Sequence, residues 1–175
     1  MNDAPMNDVP ALLIDGLLLA ILAVAVVTDL RSRRIRNRLT YPAMATGLVV
    51  NAVAGGWPGL SASALGWLTA LGIMLVPFVM GGMGAGDVKL MLAIGALKGP
   101  HFVVLVALYG AVVGGALALY YLVRERRVTS TLRYVAYGWF WALRGNGPRA
   151  GTIPYAPAIA GGAIIALLPF SIISL

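Results

Sequence analysis

The 48 residues from Leu39 to Gly86, LTYPAMATGLVVNAVAGGWPGLSASALGWLTALGIMLVPFVMGGMGAG, contain no Asp, Glu, Lys or Arg. One membrane span needs about 20 predominantly apolar residues, so this stretch is long enough for two. Gly55-Gly56-Trp57-Pro58-Gly59 divides it. Glycine and proline favour a turn, and a tryptophan beside them suits a membrane–water interface. The reading is a pair of spans at 39–55 and 60–81.

Outward from this pair the pattern repeats. Gly99 to Val123 and Ala150 to the end are also free of Asp, Glu, Lys and Arg, which gives spans at 102–123 and 153–173, and the apolar stretches at 11–29 and 86–98 are read as two more. The expected fold is all-α: a polytopic membrane protein of about six transmembrane helices, one membrane-embedded domain over residues 1–175. Composition agrees, since 60 % of the residues are hydrophobic and 11 % charged, against about 45–50 % and 25 % in soluble domains. The start carries Asp3 and Asp8 and no basic region, which is unlike a cleavable secretory signal. Cysteine is absent, so disulfides, thiolate metal sites and thiol nucleophiles are excluded.

The net charge of +7 arises from 13 Lys and Arg against six acids. Such an excess in a soluble domain would point to nucleic acid. Here the arginines cluster at Arg31–Arg38 and Arg124–Arg149, beside apolar spans, where positive charge marks the cytoplasmic side. Loops 30–38 and 124–150 are therefore read as cytoplasmic, with anionic lipid rather than nucleic acid as their partner. Segment 86–98 would be about 20 Å long, short of a hydrocarbon core about 30 Å thick. If it crosses, 12 of the 13 bases share one side, so crossing is favoured and both termini are expected outside the cytoplasm. The aromatic, arginine-flanked run Arg133–Trp141 suits a helix in the headgroup layer. Gly110-x-x-x-Gly114 and Gly161-Gly162 suit close helix packing.

Six acids make the search for chemistry short. Asp3 and Asp8 lie in a polar tail, and Glu125 sits among Arg124, Arg126 and Arg127. Asp15 is placed at the start of the first span, where a carboxylate favours a helix N-terminus, and is set aside as structural. Asp29 and Asp87 remain, at the same expected membrane depth. Ionisable groups in such a setting are costly and mark function or pairing. Asp87 follows Gly81-Gly82-Met83-Gly84-Ala85-Gly86, glycines that let the backbone leave helical geometry. The run lacks the Gly-Lys-Ser/Thr of a phosphate-binding loop.

Gly84-Ala85-Gly86-Asp87-Val88-Lys89-Leu90 resembles the Gly-x-Gly-Asp signature of the type IV prepilin peptidases, membrane aspartyl proteases. Two further stretches share the resemblance. Asp29-Leu30-Arg31-Ser32-Arg33-Arg34-Ile35-Arg36-Asn37-Arg38-Leu39 is similar to the family's first aspartate loop, with Arg36 where proline is common, and Ile153-Pro154-Tyr155-Ala156-Pro157-Ala158-Ile159-Ala160 to its last-helix motif. The resemblance implies Asp29 and Asp87 as the catalytic pair, with Gly84, Gly86, Lys89, Asn37, Pro154 and Tyr155 in support. It implies no metal and no cofactor. It also implies a prepilin partner, with a short basic leader before an apolar helix. Lacking a cysteine-bearing cytoplasmic segment, the chain is similar to the short peptidase-only form associated with Flp (tight-adherence) pili, without N-methyltransferase activity. The implied location is the bacterial inner membrane.

Hydrolysis by two aspartates needs one protonated and one ionised carboxyl sharing a water, and two close carboxyls titrate as a unit. Lys89 is expected either to tune that titration or to snorkel to headgroups. The competing class is a small proton- or cation-coupled transporter or channel subunit using the same two aspartates.

Overall fold

The structure, a computed structural model, describes residues 8–32, 35–80, 82–124 and 155–168. Pro154, the aromatic run 133–141, most of the loop 124–150 and both ends of the span read at 153–173 lie outside the described residues. The elements are α1 (Asp8–Ser32), α2 (Asn37–Val79), α3 (Ala85–Arg124) and α4 (Ala156–Leu167). No strand occurs among the described residues.

Straight, the 43 residues of α2 would extend about 65 Å, twice the apolar thickness of a bilayer. The helix breaks instead at Gly56, where φ is 58° and ψ −141°, a left-handed geometry that glycine adopts without a Cβ penalty. The turn read from Gly55 to Gly59 thus contracts to one residue. Pro58 sits in the first turn of the limb that follows, where its missing N–H costs nothing. α3 breaks in the same way at Gly99, with φ 80°, immediately before Pro100. Each of these elements is therefore two limbs: 37–55 and 57–79 in α2, 85–98 and 100–124 in α3.

The break in α3 has a chemical consequence. Pro100 has no N–H to give the Ala96 carbonyl four residues back. Ser63 Oγ donates to that carbonyl at 2.5 Å, and Asn51 Nδ2 reaches the Ala96 and Leu97 oxygens at 3.1 and 3.2 Å. One donor comes from each limb of α2, so a defect of α3 becomes its tie to both. Lipid offers no alternative partner for a freed carbonyl.

Close backbone approach does the rest. A Cβ built on Gly47 would lie 2.7 Å from the Ala96 carbonyl, and one on Gly66 would lie 2.7 Å from Gly99 Cα. One on Gly95 would lie 2.6 Å from the Gly66 carbonyl carbon. Helices in lipid gain little from the hydrophobic effect and depend on such contact. Overpacking costs about 1–3 kcal/mol, and here the obstructing atoms are backbone. Gly66→Ala is expected to lower the melting temperature in detergent sharply, whereas Gly72→Ala, with nothing within 4 Å of its added Cβ, leaves it unchanged.

The first limb of α3 is the central post: Leu90, Met91, Ala93, Ile94, Ala96 and Leu97 are all buried. α4 lies against the second limb of α3, glycine on glycine. A Cβ on Gly162 would come 2.5 Å from Gly110 N, and one on Gly114 would touch Ala158 Cβ at 3.4 Å. α1 buries Leu18, Leu22, Ala25 and Asp29 along one seam and leaves Leu12, Leu13, Val24, Val27 and Leu30 exposed. In water that outer face would be a liability; in lipid it is a surface. Three helical stretches are long and apolar enough to cross a membrane, Leu12–Ser32, Asn37–Val79 and Ala85–Leu117. The protein is an all-helical integral membrane protein.

Candidate active site

Asp29 lies three residues before the end of α1, and Asp87 is the third residue of α3. Both are more than 90 % buried, with 6 % and 8 % exposure, and the charge of Asp29 acts on Asp87. Lys98, at the far end of the same α3 limb, pairs with Asp15 near the beginning of α1. The limb therefore runs antiparallel to α1, which brings the two sequence-distant aspartates to one end of the bundle.

Each carboxylate meets a helix N-terminus. Asp87 Oδ2 accepts the N–H of Gly84 at 3.2 Å, while the Gly84 carbonyl accepts from the N–H of Asp87 and of Val88 at 3.1 and 3.3 Å. This is one half of a capping box, the Asp87 carboxylate reaching back to the N–H at the start of its helix, while Gly84 has no side chain to return the bond. Asp29 Oδ2 accepts the N–H of Ala156, the first residue of α4, at 3.2 Å. Pro157 next to it has no N–H to satisfy, and Ile159 N–H returns to the Tyr155 carbonyl at 3.0 Å. The positive end of a helix favours an anion, so both carboxylates are held by backbone rather than by cations. Among the described residues the one ion pair is Lys98–Asp15, and neither Asp29 nor Asp87 has a charged partner.

Of the supporting positions read from the sequence, Asn37, Gly84, Gly86, Lys89 and Tyr155 lie around the two aspartates. Lys89 Nζ donates to Asn37 Oδ1 at 2.9 Å and lies 5.0 Å from the Tyr41 ring centroid. It joins the start of α3 to the start of α2. A Cβ on Gly86 would be 3.1 Å from Ile35 Cβ and 3.4 Å from Ile35 N, and one on Gly84 would be 3.1 Å from Asp87 Oδ2. Tyr155 is the N-cap of α4. Pro154 is outside the described residues. Thr40, one turn into α2, is wholly buried, and its hydroxyl is the one buried side-chain polar atom without a partner among the described residues.

Three contacts were beyond the sequence reading. Asp15 is not at the start of its helix but two turns inside α1, bound to Lys98. Ile35 is buried against Gly86. The donors to the two carboxylates, the N–H of Gly84 for Asp87 and of Ala156 for Asp29, are backbone groups, which every residue but proline carries.

A cleft of about 450 Å³ adjoins this site. Its walls include Met74 and Pro77 of α2, Met83, Gly110 and Gly114 of α3, and Tyr155. Met83 precedes Gly84 and Tyr155 precedes Ala156, so the cleft begins beside the two N–H groups that hold the carboxylates. No group of three or more His, Cys, Asp or Glu that could hold a metal occurs among the described residues.

Two carboxyls are thus brought to one buried end of the bundle. That is the equipment of general acid–base chemistry on a water between them. The family model of the type IV leader peptidases matches residues 16–119, which include both aspartates. The chain belongs to the type IV leader peptidase family. A prepilin leader peptidase/N-methyltransferase of Bacillus subtilis (strain 168) is 28 % identical over 153 residues, covering 86 % of this chain and 53 % of that protein. The chain thus spans about half the length of that curated relative. No solved structure matches.

Proposed function

We propose that the protein is a membrane aspartic endopeptidase that removes the leader peptide of type IV prepilins or pilin-like proteins. The observation that supports this best is the convergence of Asp29 and Asp87, both buried, each taking a backbone N–H and neither paired with a cation among the described residues. In the proposed reaction the ionised carboxyl takes a proton from water as the water oxygen bonds to the scissile carbonyl carbon. The protonated carboxyl gives its proton to the carbonyl oxygen. Collapse of the tetrahedral species breaks the C–N bond as the carboxyl that took the water's proton gives it to the leaving amine, and one hydroxyl of the tetrahedral species returns its proton to the other carboxylate. The pair ends as it began, with one proton.

The substrate's apolar helix is assigned to the cleft beside Met83 and Tyr155, which leads away from the aspartates between α2, α3 and α4. Glycines there permit close approach of another helix. The reading places the site at the cytoplasmic face of the inner membrane, because Arg31, Arg36 and Arg38 lie at this end of the bundle and basic segments stay inside. That position at a bundle end, not halfway along the helices, favours hydrolysis over ion relay.

Purified protein incubated with a candidate prepilin in detergent is expected to shorten it by the mass of its leader. Ala111→Trp, which fills the cleft without touching either aspartate, is expected to raise KM about tenfold or more with a smaller change in kcat, as lost binding shared by ground and transition states does. Unchanged kinetics in that variant would remove the cleft from the substrate path. Failure to shorten any prepilin would remove the proposed activity.

A further inference from the structure

We propose that Asp15 and Lys98 form a positioning pair that sets the axial register of α1 and so delivers Asp29 to Asp87. The inference rests on the peptidase reading above.

Positions 15, 18, 22, 25 and 29 follow the alternating three- and four-residue steps that line one face of a packed helix, and Leu18, Leu22, Ala25 and Asp29 are buried along it. Asp15 and Asp29 are therefore the two polar ends of one stripe, 14 residues or about 21 Å apart. Between them the stripe is leucine and alanine. Rotation of α1 is resisted because it would carry the buried Asp29 toward lipid, where an ionisable group is costly. The stripe defines position along the axis poorly, since lipid and protein are equally apolar neighbours.

Register must then come from the polar ends. At one end Asp29 is held by the Ala156 N–H. At the other, Lys98 Nζ bonds Asp15 Oδ1 at 2.5 Å, with both side chains about one-quarter to one-third exposed, and also lies 5.3 Å from the Phe102 ring centroid. Lys98 is well placed to be a fixed point. It ends the first limb of α3, next to the break at Gly99, where the helix dipole favours a cation. The Asn51 and Ser63 bonds to the Ala96 and Leu97 carbonyls anchor that same turn to α2. Along this limb Lys98 and Asp87 are 11 residues apart, about 17 Å. One rigid limb thus carries Asp87 at one end and the register mark for Asp29 at the other.

The test separates register from stability. Removing one partner alone leaves a charge stranded, whereas replacing both by apolar groups is often neutral for folding. The double variant Asp15→Leu/Lys98→Met is expected to keep its melting temperature. Its kcat on a prepilin should fall about ten- to hundredfold, as small misplacements of catalytic groups do, with KM within about twofold. Exchanging the charges, Asp15→Lys with Lys98→Asp, is expected to restore part of the kcat lost in either single exchange. The chain has no cysteine of its own, so spin labels at the exposed positions Val24 and Val49 report the register of α1 against α2 without substrate. Their distance distribution should broaden or shift in the double apolar variant and recover in the exchanged one. An unchanged distribution, or a wild-type kcat in the double apolar variant, overturns the proposal. Loss of the peptidase reading is recognised separately, by Asp29→Asn and Asp87→Asn variants that still cleave.

Discussion

Asp29→Asn and Asp87→Asn are each expected to lower the rate of leader removal by about a thousandfold or more, within the range that a positioned acid or base contributes. Asparagine keeps the size of the side chain and an oxygen that can accept the N–H of Ala156 or of Gly84. It cannot exchange the proton. Melting temperatures should change little, since the lost part of each interaction is the charge on one hydrogen bond, about 1 kcal/mol net. Mass spectrometry of a prepilin digest reads the rate, and thermal unfolding in detergent reads the fold. A variant that keeps near-native cleavage would show that its aspartate is not catalytic. The same assay should be indifferent to chelators, because the proposed chemistry uses carboxyls alone. Strong inhibition by a chelator would replace this mechanism with a metal-dependent one.

How much of this was legible in the sequence differs from element to element. The helices follow from long uncharged runs, and their breaks from Gly56 and Gly99-Pro100, residues that either tolerate a left-handed backbone or remove an N–H. Asp29 and Asp87 stood out because buried acids are few. Close packing of α3 on α4 was written in Gly110, Gly114 and Gly162. The pairing of side chains was not written anywhere. Lys89 was expected to tune the pair or to reach headgroups, and its bond to Asn37 was not foreseen. Asp15 was read as the start of a helix that in fact begins at Asp8. Its place on the Asp29 seam shows in the spacing, but its meaning depends on Lys98, 83 residues away. Long-range partners are set by helix direction, and direction emerges only when all the limbs are packed.

The glycine loop gives the second large effect. From sequence, the run from Gly81 to Gly86 suggests a backbone free to move, and valine there should cost activity through lost freedom. The structure supplies a more specific reason at each position. Gly86 lies against Ile35, where an added Cβ would be 3.1 Å from a side-chain carbon and 3.4 Å from the backbone N. Valine adds two further methyls to that gap and has few rotamers with which to avoid it. The segment carrying Ile35 joins Asp29 to Asn37, so displacing it moves one aspartate relative to the other. Gly84→Val acts more directly, because its Cβ would press on Asp87 Oδ2 at 3.1 Å. Overpacking of this kind costs about 1–3 kcal/mol in stability, whereas a misplacement near 1 Å can cost about a hundredfold in rate. Both variants are therefore expected to fold and to lose most of their cleavage activity. Gly82→Ala, whose nearest obstacle is the Pro77 carbonyl at an ordinary 3.5 Å, should stay active. If all three variants are equally impaired, the loop needs flexibility throughout. If Gly86→Val is fully active, Ile35 yields without moving Asp29, and the fit of these two motifs does not set the geometry of the pair.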